Sequence, residues 1–176
     1  LKLVENRYFI VSTHREENVE LETNLSKLML ILDSIAKEYN LPILFSVHPR
    51  TLKSLKKFKV KLNPKVIIHK PFSFSDYCKL QLNAKVVLSD SGTISEETSI
   101  LGFKSLNIRY SHERPEAMEK GTTMLVGYDL NKIMQGIEIL DKTFSSNKVK
   151  DYHISGVSQI VLNALISYYA VNKLET

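Results

Sequence analysis

Short runs rich in β-branched and aromatic residues alternate with longer segments of helical period, and this alternation limits the chain more than any single motif. The runs are Tyr8 to Ser12, Ile43 to Val47, Val66 to His69, Val86 to Ser89, Ser105 to Ile108 and Thr123 to Val126. Several are apolar on both faces, as strands are when helices cover both sides of a parallel sheet. The segments between them predict helices near Leu21 to Tyr39, Leu52 to Phe58, Ser75 to Leu82, Ile94 to Leu101, Pro115 to Glu119 and Leu130 to Leu140. A last helix, about Ile154 to Val171, sets Val157, Ile160, Val161, Ala164, Leu165 and Tyr168 on one stripe expected to be buried. A strand-helix repeat within one chain implies a doubly wound, mostly parallel six-stranded sheet of Rossmann-like α/β class, with right-handed crossovers. At 176 residues and 43% hydrophobic content, one core and one domain over 1–176 are expected. There is no internal repeat or low-complexity tract, and Thr143 to Tyr152 is the only long loop.

Charge and cysteine usage exclude several classes. The formal charge is +5, but the 24 basic residues are interspersed with 19 acidic ones, a mild basicity suited to an anionic small ligand. The Lys53 to Lys61 segment is the one basic cluster, and with one aromatic and no arginine it reads as a solvated helix face, not a nucleic-acid patch. A single cysteine, Cys78, rules out an internal disulfide and a cysteine-based zinc site. No run approaches the ~18 apolar residues of a membrane span. A soluble, cytoplasmic protein with no nucleic-acid or membrane partner is expected. The opening "LKLVENRYFI" lacks an initiator Met and a signal pattern and reads as mid-protein, hence as a fragment.

Polar residues gather just past the strands: His14 after the first, His48 after the second, His69 at the third, Ser89-Asp90-Ser91 at the fourth and Arg109 at the fifth. In an open parallel sheet the carboxyl edge is where ligands bind. At "LSDSGTISEE", Ser91, Gly92 and Thr93 open a helix whose amides and positive dipole end suit a phosphate or diphosphate. Thr93 to Glu96 fits a capping box. Glu97, one turn in, suits sugar hydroxyls, as carboxylates hold ribose in such folds. Arg114 precedes Pro115, a stiff turn that suits bidentate phosphate recognition. Arg109 has two readings, a phosphate contact or a structural pairing with Asp90 or Glu113. His14 is placed to donate to a phosphate or a leaving group.

Leu88 to Gly127, with "VSTHREEN" (Val11 to Asn18) and "SVHPR" (Ser46 to Arg50), resembles the carboxyl-terminal half of the non-hydrolysing UDP-N-acetylglucosamine 2-epimerases. The resemblance covers most of the chain, and Ser-Gly-x-x-x-Glu-Glu combined with Glu-Arg-Pro-Glu-Ala is specific. It implies the nucleotide-binding half of a GT-B fold, whose amino-terminal half is missing here. It places Ser91 and Gly92 on the diphosphate, with Thr93 where the family commonly has a second glycine. It gives Glu97 the ribose hydroxyls, Arg114 the diphosphate, and His14 the catalytic place beside the departing UDP. Uracil would lie at "KPFSFSDY", against backbone groups of Phe72 and the ring of Tyr77. His48 and Arg15 match a region that binds a second, activating UDP-sugar in some bacterial members. The "STHREEN" wording is similar to the branch that acts on UDP-6-deoxy sugars, toward UDP-N-acetyl-fucosamine.

The chemistry implied by the resemblance is proton abstraction at C2 with expulsion of UDP from C1, then re-addition on the other face, in the service of polysaccharide biosynthesis. It implies no redox cofactor and no metal, and a homodimer of the full-length protein. The acid/base carboxylates would belong to the missing half, so the isolated chain is expected to be inactive; Glu16 and Glu17 read as solvated charge. Three rival readings stand beside it. They are a GT-B glycosyltransferase nucleotide domain, a non-catalytic UDP-binding remnant, and a metal site built from His14, His48 and His69.

Overall fold

A computed structural model describes residues 2–13, 21–111, 114–145 and 147–172. Six strands, β1 (Phe9–Thr13), β2 (Ile43–Val47), β3 (Val66–His69), β4 (Val86–Ser89), β5 (Ser105–Asn107) and β6 (Met124–Leu125), form one sheet in the order β3-β2-β1-β4-β5-β6. Every strand pair is parallel. Helices α1 (Glu22–Tyr39), α2 (Pro49–Lys57), α3 (Phe74–Asn83), α4 (Ile94–Leu101), α5 (Pro115–Glu119), α6 (Leu130–Thr143) and α7 (Val157–Asn172) make up the rest, with a 3-10 turn at Lys150–His153.

The two-residue period of β1 shows how the core is divided. Phe9 and Val11 face a large cluster with Leu28, Ile31, Leu32 and Ile35 of α1 and Ile133, Ile137 and Leu140 of α6. Tyr8 and Ile10 face a smaller one, with Val87 of β4, Ile94 of α4 and Phe103. Strand β4 is covered on both faces and buried at all four positions, apolar at Val86, Val87 and Leu88 and polar at Ser89, where the strand meets the cleft. The strand order reverses between β1 and β4, so their carboxyl ends diverge into helices on opposite faces and leave a crevice between them.

Three helices differ from expectation. Helix α6 runs past Leu140 to Thr143, and α7 starts at Val157, not Ile154. Helix α2 starts at Pro49, not Leu52, because His48 caps it: the His48 Nδ1 accepts from the Arg50 N–H at 3.3 Å, and Pro49 stands at the first helical position. The last helix forms, but its apolar stripe is not buried. Val157, Ile160, Val161, Leu165 and Tyr168 are 50–73% exposed, and Ala164 is exposed as well. Helical period marks which residues share a face; it does not supply the surface that covers them. The sixth strand is also shorter than Thr123 to Val126, as it pairs with β5 at Met124 and Leu125 alone; the Thr123 hydroxyl accepts from Ser105 Oγ at 2.9 Å. Lys53, Lys56, Lys57, Lys59 and Lys61 are all exposed.

Candidate functional site

The crevice at the β1/β4 switch is a cleft of about 470 Å³. Its lining includes Ser12 and Thr13 from β1, His48 after β2, Phe72 and Phe74 before and at the start of α3, and Ser89, Ser91 and Glu97 from β4 and α4. Its floor is a chain of hydroxyls. Ser12 Oγ lies 2.8 Å from the Tyr77 hydroxyl and 3.1 Å from Ser89 Oγ, and Ser89 Oγ accepts from the Ser91 N–H at 3.1 Å. Burial, and more weakly the Glu97 and Asp90 charges, push the Tyr77 phenol up to about 12 against the opposing pull of the Ser12 bond, so it is a neutral hydroxyl here.

Helix α4 opens at the rim of this cleft. The backbone turns through Ser91 and Gly92, and Thr93 already has helical dihedrals, φ −83° and ψ −4°. Ser91 Oγ accepts from the Thr93 N–H at 3.3 Å. Gly92 lets its neighbour approach closely: a Cβ there would stand 3.3 Å from Arg114 Nη1, a contact the guanidinium would relieve by shifting a few tenths of an ångström away from the loop. Arg114 is aimed by Pro115, since a residue before proline is held out of the helical region, and its φ is −135°. Its Nε forms an ion pair with Glu96 Oε1. The capping-box expectation for Glu96 therefore fails, as the side chain turns to Arg114 and no side-chain cap bond forms at Thr93. Behind this, Tyr152 donates to Glu116 Oε1 at 2.6 Å, bracing α5 and with it Arg114 at the helix's start.

Glu97 is held from two sides. Thr93 Oγ1 donates to its Oε1 at 2.6 Å, and Gln81 Nε2 of α3 donates to its Oε2 at 2.6 Å. Gln81 was not foreseen. Its signal was an amide one turn after Tyr77 and beside Leu80 on α3, the kind of polar residue that needs a buried partner.

Of the expected site residues, Phe72, Tyr77, Ser91 and Glu97 line one cleft, Gly92 and Thr93 lie at its rim, and Arg114 lies against Gly92 there. His48 faces the same cleft besides capping α2. His69 instead belongs to a neighbouring cavity of about 580 Å³, where its ring stacks on Phe72 at a 4.0 Å centroid distance. Arg109, 6% exposed, does not line the cleft. His14, Arg15, Glu16, Glu17 and Glu113 lie outside the described residues. Among the described residues no three His, Cys, Asp or Glu side chains stand together as a metal site, and no helix is long and apolar enough to cross a membrane.

Comparison with known proteins points the same way. A family model described as UDP-N-acetylglucosamine 2-epimerase matches residues 2–165. The UDP-N-acetylglucosamine 2-epimerase of Methanocaldococcus jannaschii is 36% identical over 142 residues, 78% of this chain and 39% of the relative. The solved UDP-N-acetylglucosamine 2-epimerase of Rickettsia bellii superposes with a TM-score of 0.78 at 40% identity, covering 94% of this chain and 46% of its own. The Methanocaldococcus jannaschii enzyme solved in complex with UDP-GlcNAc and UDP gives 0.81 at 32%, covering 91% and 45%. The chain thus spans less than half the length of these relatives. The order of the cleft's residues, the sheet that carries them and a match over almost the whole chain place this protein in the UDP-N-acetylglucosamine 2-epimerase family.

Proposed function

We propose that this chain supplies the UDP-holding half of a UDP-sugar 2-epimerase that interconverts UDP-N-acetylglucosamine and UDP-N-acetylmannosamine, or a 6-deoxy analogue, for polysaccharide biosynthesis in the cytoplasm. The observation that carries this reading is the convergence on one cleft of a helix N-terminus, an arginine packed over the glycine that opens it, and a carboxylate one turn later. A diphosphate suits the first two, through amide donors and a planar guanidinium. A ribose suits the third. Backbone groups of Phe72 and the ring of Tyr77, which line the same cleft, are proposed to hold the base.

In the proposed reaction a base removes the C2 proton and the C1–oxygen bond to UDP breaks, leaving a glycal. A proton then returns to the other face of C2 while UDP adds back at C1. The departing diphosphate gains negative charge, so α4 amides, Arg114 and His14 stabilise charge where it develops. The C2 acid and base are assigned to the part of the relatives' length that this chain does not span, and the complete enzyme is proposed to be a homodimer. Thermal unfolding with UDP and with uridine tests the reading. UDP should raise the midpoint and uridine should do so far less, because the principal contacts are to phosphates; equal shifts would overturn it.

A further inference from the structure

The contacts around Glu97 carry an inference that rests on the nucleotide reading and deepens it. We propose that Gln81 and Thr93 are positioning residues that set ribose specificity by clamping the Glu97 carboxylate in one orientation. A carboxylate offers about four acceptor directions, two on each oxygen. Thr93 takes one on Oε1 and Gln81 takes one on Oε2, each at 2.6 Å, which leaves one direction on each oxygen for a ligand. Two adjacent acceptors held in one plane match a vicinal diol, the 2′ and 3′ hydroxyls of a ribose. An unclamped glutamate would not hold them so, because its terminal torsion is broad and soft.

The energetics of Gln81 point the same way. It is fully buried, and its Oε1 has no partner among the described residues, so the amide is desolvated for the sake of the bond to Glu97. Leucine or methionine would fill the space between α3 and α4 at less cost. The orientation of the amide comes from chemistry, since an ionised carboxylate only accepts and Nε2 must face it. Thr93 adds a link to the phosphate end. Its hydroxyl proton goes to Glu97, so in the 3.0 Å contact with Ser91 it is Ser91 that donates. Thr93 thus joins the diphosphate loop to the ribose acceptor.

Calorimetric titration of the chain with UDP and with 2′-deoxy-UDP tests the clamp. The native protein should prefer UDP. Gln81→Met and Thr93→Val should each reduce that preference about fivefold, the worth of one hydrogen bond, by lowering UDP affinity more than 2′-deoxy-UDP affinity. Thr93→Ser, which keeps the hydroxyl, should retain the preference. A purely structural role would weaken both nucleotides alike, and that result overturns the proposal. Because Thr93 is exposed, its valine variant should fold even if the buried Gln81 variant does not. Preference preserved in both variants but lost in Glu97→Gln would refute the clamp and leave the nucleotide reading standing. No preference in the native protein, or full preference in Glu97→Gln, would remove the ribose assignment and the clamp with it.

Discussion

Arg114 shows how a single side chain draws its role from several neighbours. Proline after it sets its backbone, Glu96 takes its Nε, and the missing Cβ of Gly92 gives its Nη1 room over the α4 loop. Replacing it with alanine should weaken UDP binding by about 1.5–3 kcal/mol, the range for a hydrogen bond to a charged group, and leave uridine binding unchanged. Calorimetry with both ligands checks this, and an equal loss for uridine would make Arg114 structural. Tyr77 gives a pH-dependent expectation. Its folded phenol titrates at about 12, above the ordinary 10, because burial disfavours the charged form. The stability this contributes is present below pH 10 and is lost as the pH rises from 10 toward 12, since the unfolded phenol ionises first. Tyr77→Phe should therefore be less stable than the native protein near neutrality, having lost the Ser12 bond, with the gap closing by up to about 2 kcal/mol at alkaline pH. Urea unfolding across that range measures it; a gap independent of pH would show that Tyr77 is no better protected than a free phenol.

At the scale of elements, α4 and α7 make opposite demands on their surroundings. Helix α4 buries Ile94, Ser95, Thr98 and Ser99 and keeps its N-terminus at the cleft, so packing and site geometry agree. Helix α7 has no Asp, Glu, Lys or Arg from Val157 to Asn172, and its large apolar residues from Val157 to Tyr169 are 49–73% exposed. A helix this apolar all round is stable in water only when covered. At 16 residues it is about 24 Å long, short of the ~30 Å hydrocarbon layer of a bilayer. The 176-residue chain should accordingly enhance the fluorescence of an apolar dye and self-associate with rising concentration. The double variant Leu165→Lys, Ile166→Lys should reduce both effects while UDP binding is kept, because α7 contributes nothing to the cleft lining. Unaltered dye binding in that variant would place the exposed surface elsewhere.

For the molecule as a whole, the decisive fact is that it spans less than half the length of relatives that share its family. The cleft holds hydroxyls, a glutamate with both oxygens engaged and an ion-paired arginine, which suits holding a nucleotide. None of these is a carboxylate placed to take a proton from a sugar carbon. The isolated chain should fold and bind UDP, yet take up no solvent deuterium at C2 of UDP-N-acetylglucosamine or a 6-deoxy relative. In a protein that also carries the remaining length, exchange should appear, and His14→Ala should then lower turnover far more than UDP affinity. Deuterium uptake by the chain alone would return Glu16, Glu17 and Glu96 to consideration as catalytic groups.

The amino-acid order by itself determined whatever depends on neighbours along the chain. Apolar runs on both faces made strands of a covered parallel sheet, and β2, β3, β4 and α4 fall where hydrophobic period and turn residues put them. The Ser-Gly-Thr turn before α4 and the Arg114-Pro115 step are local in the same sense, and so both were legible as the rim of a cleft at the sheet's carboxyl edge. Only the tertiary structure could decide what depends on residues far apart in sequence. Glu96 turned from its own helix cap to Arg114, 18 positions on, because a full charge competes better for a carboxylate than a backbone amide does. Gln81 met Glu97 across two helices, a contact of 16 positions that no periodicity encodes. The stripe on α7 was readable as apolar but not as exposed, because burial belongs to the surface that meets a helix, and that surface is not written in the helix's own residues.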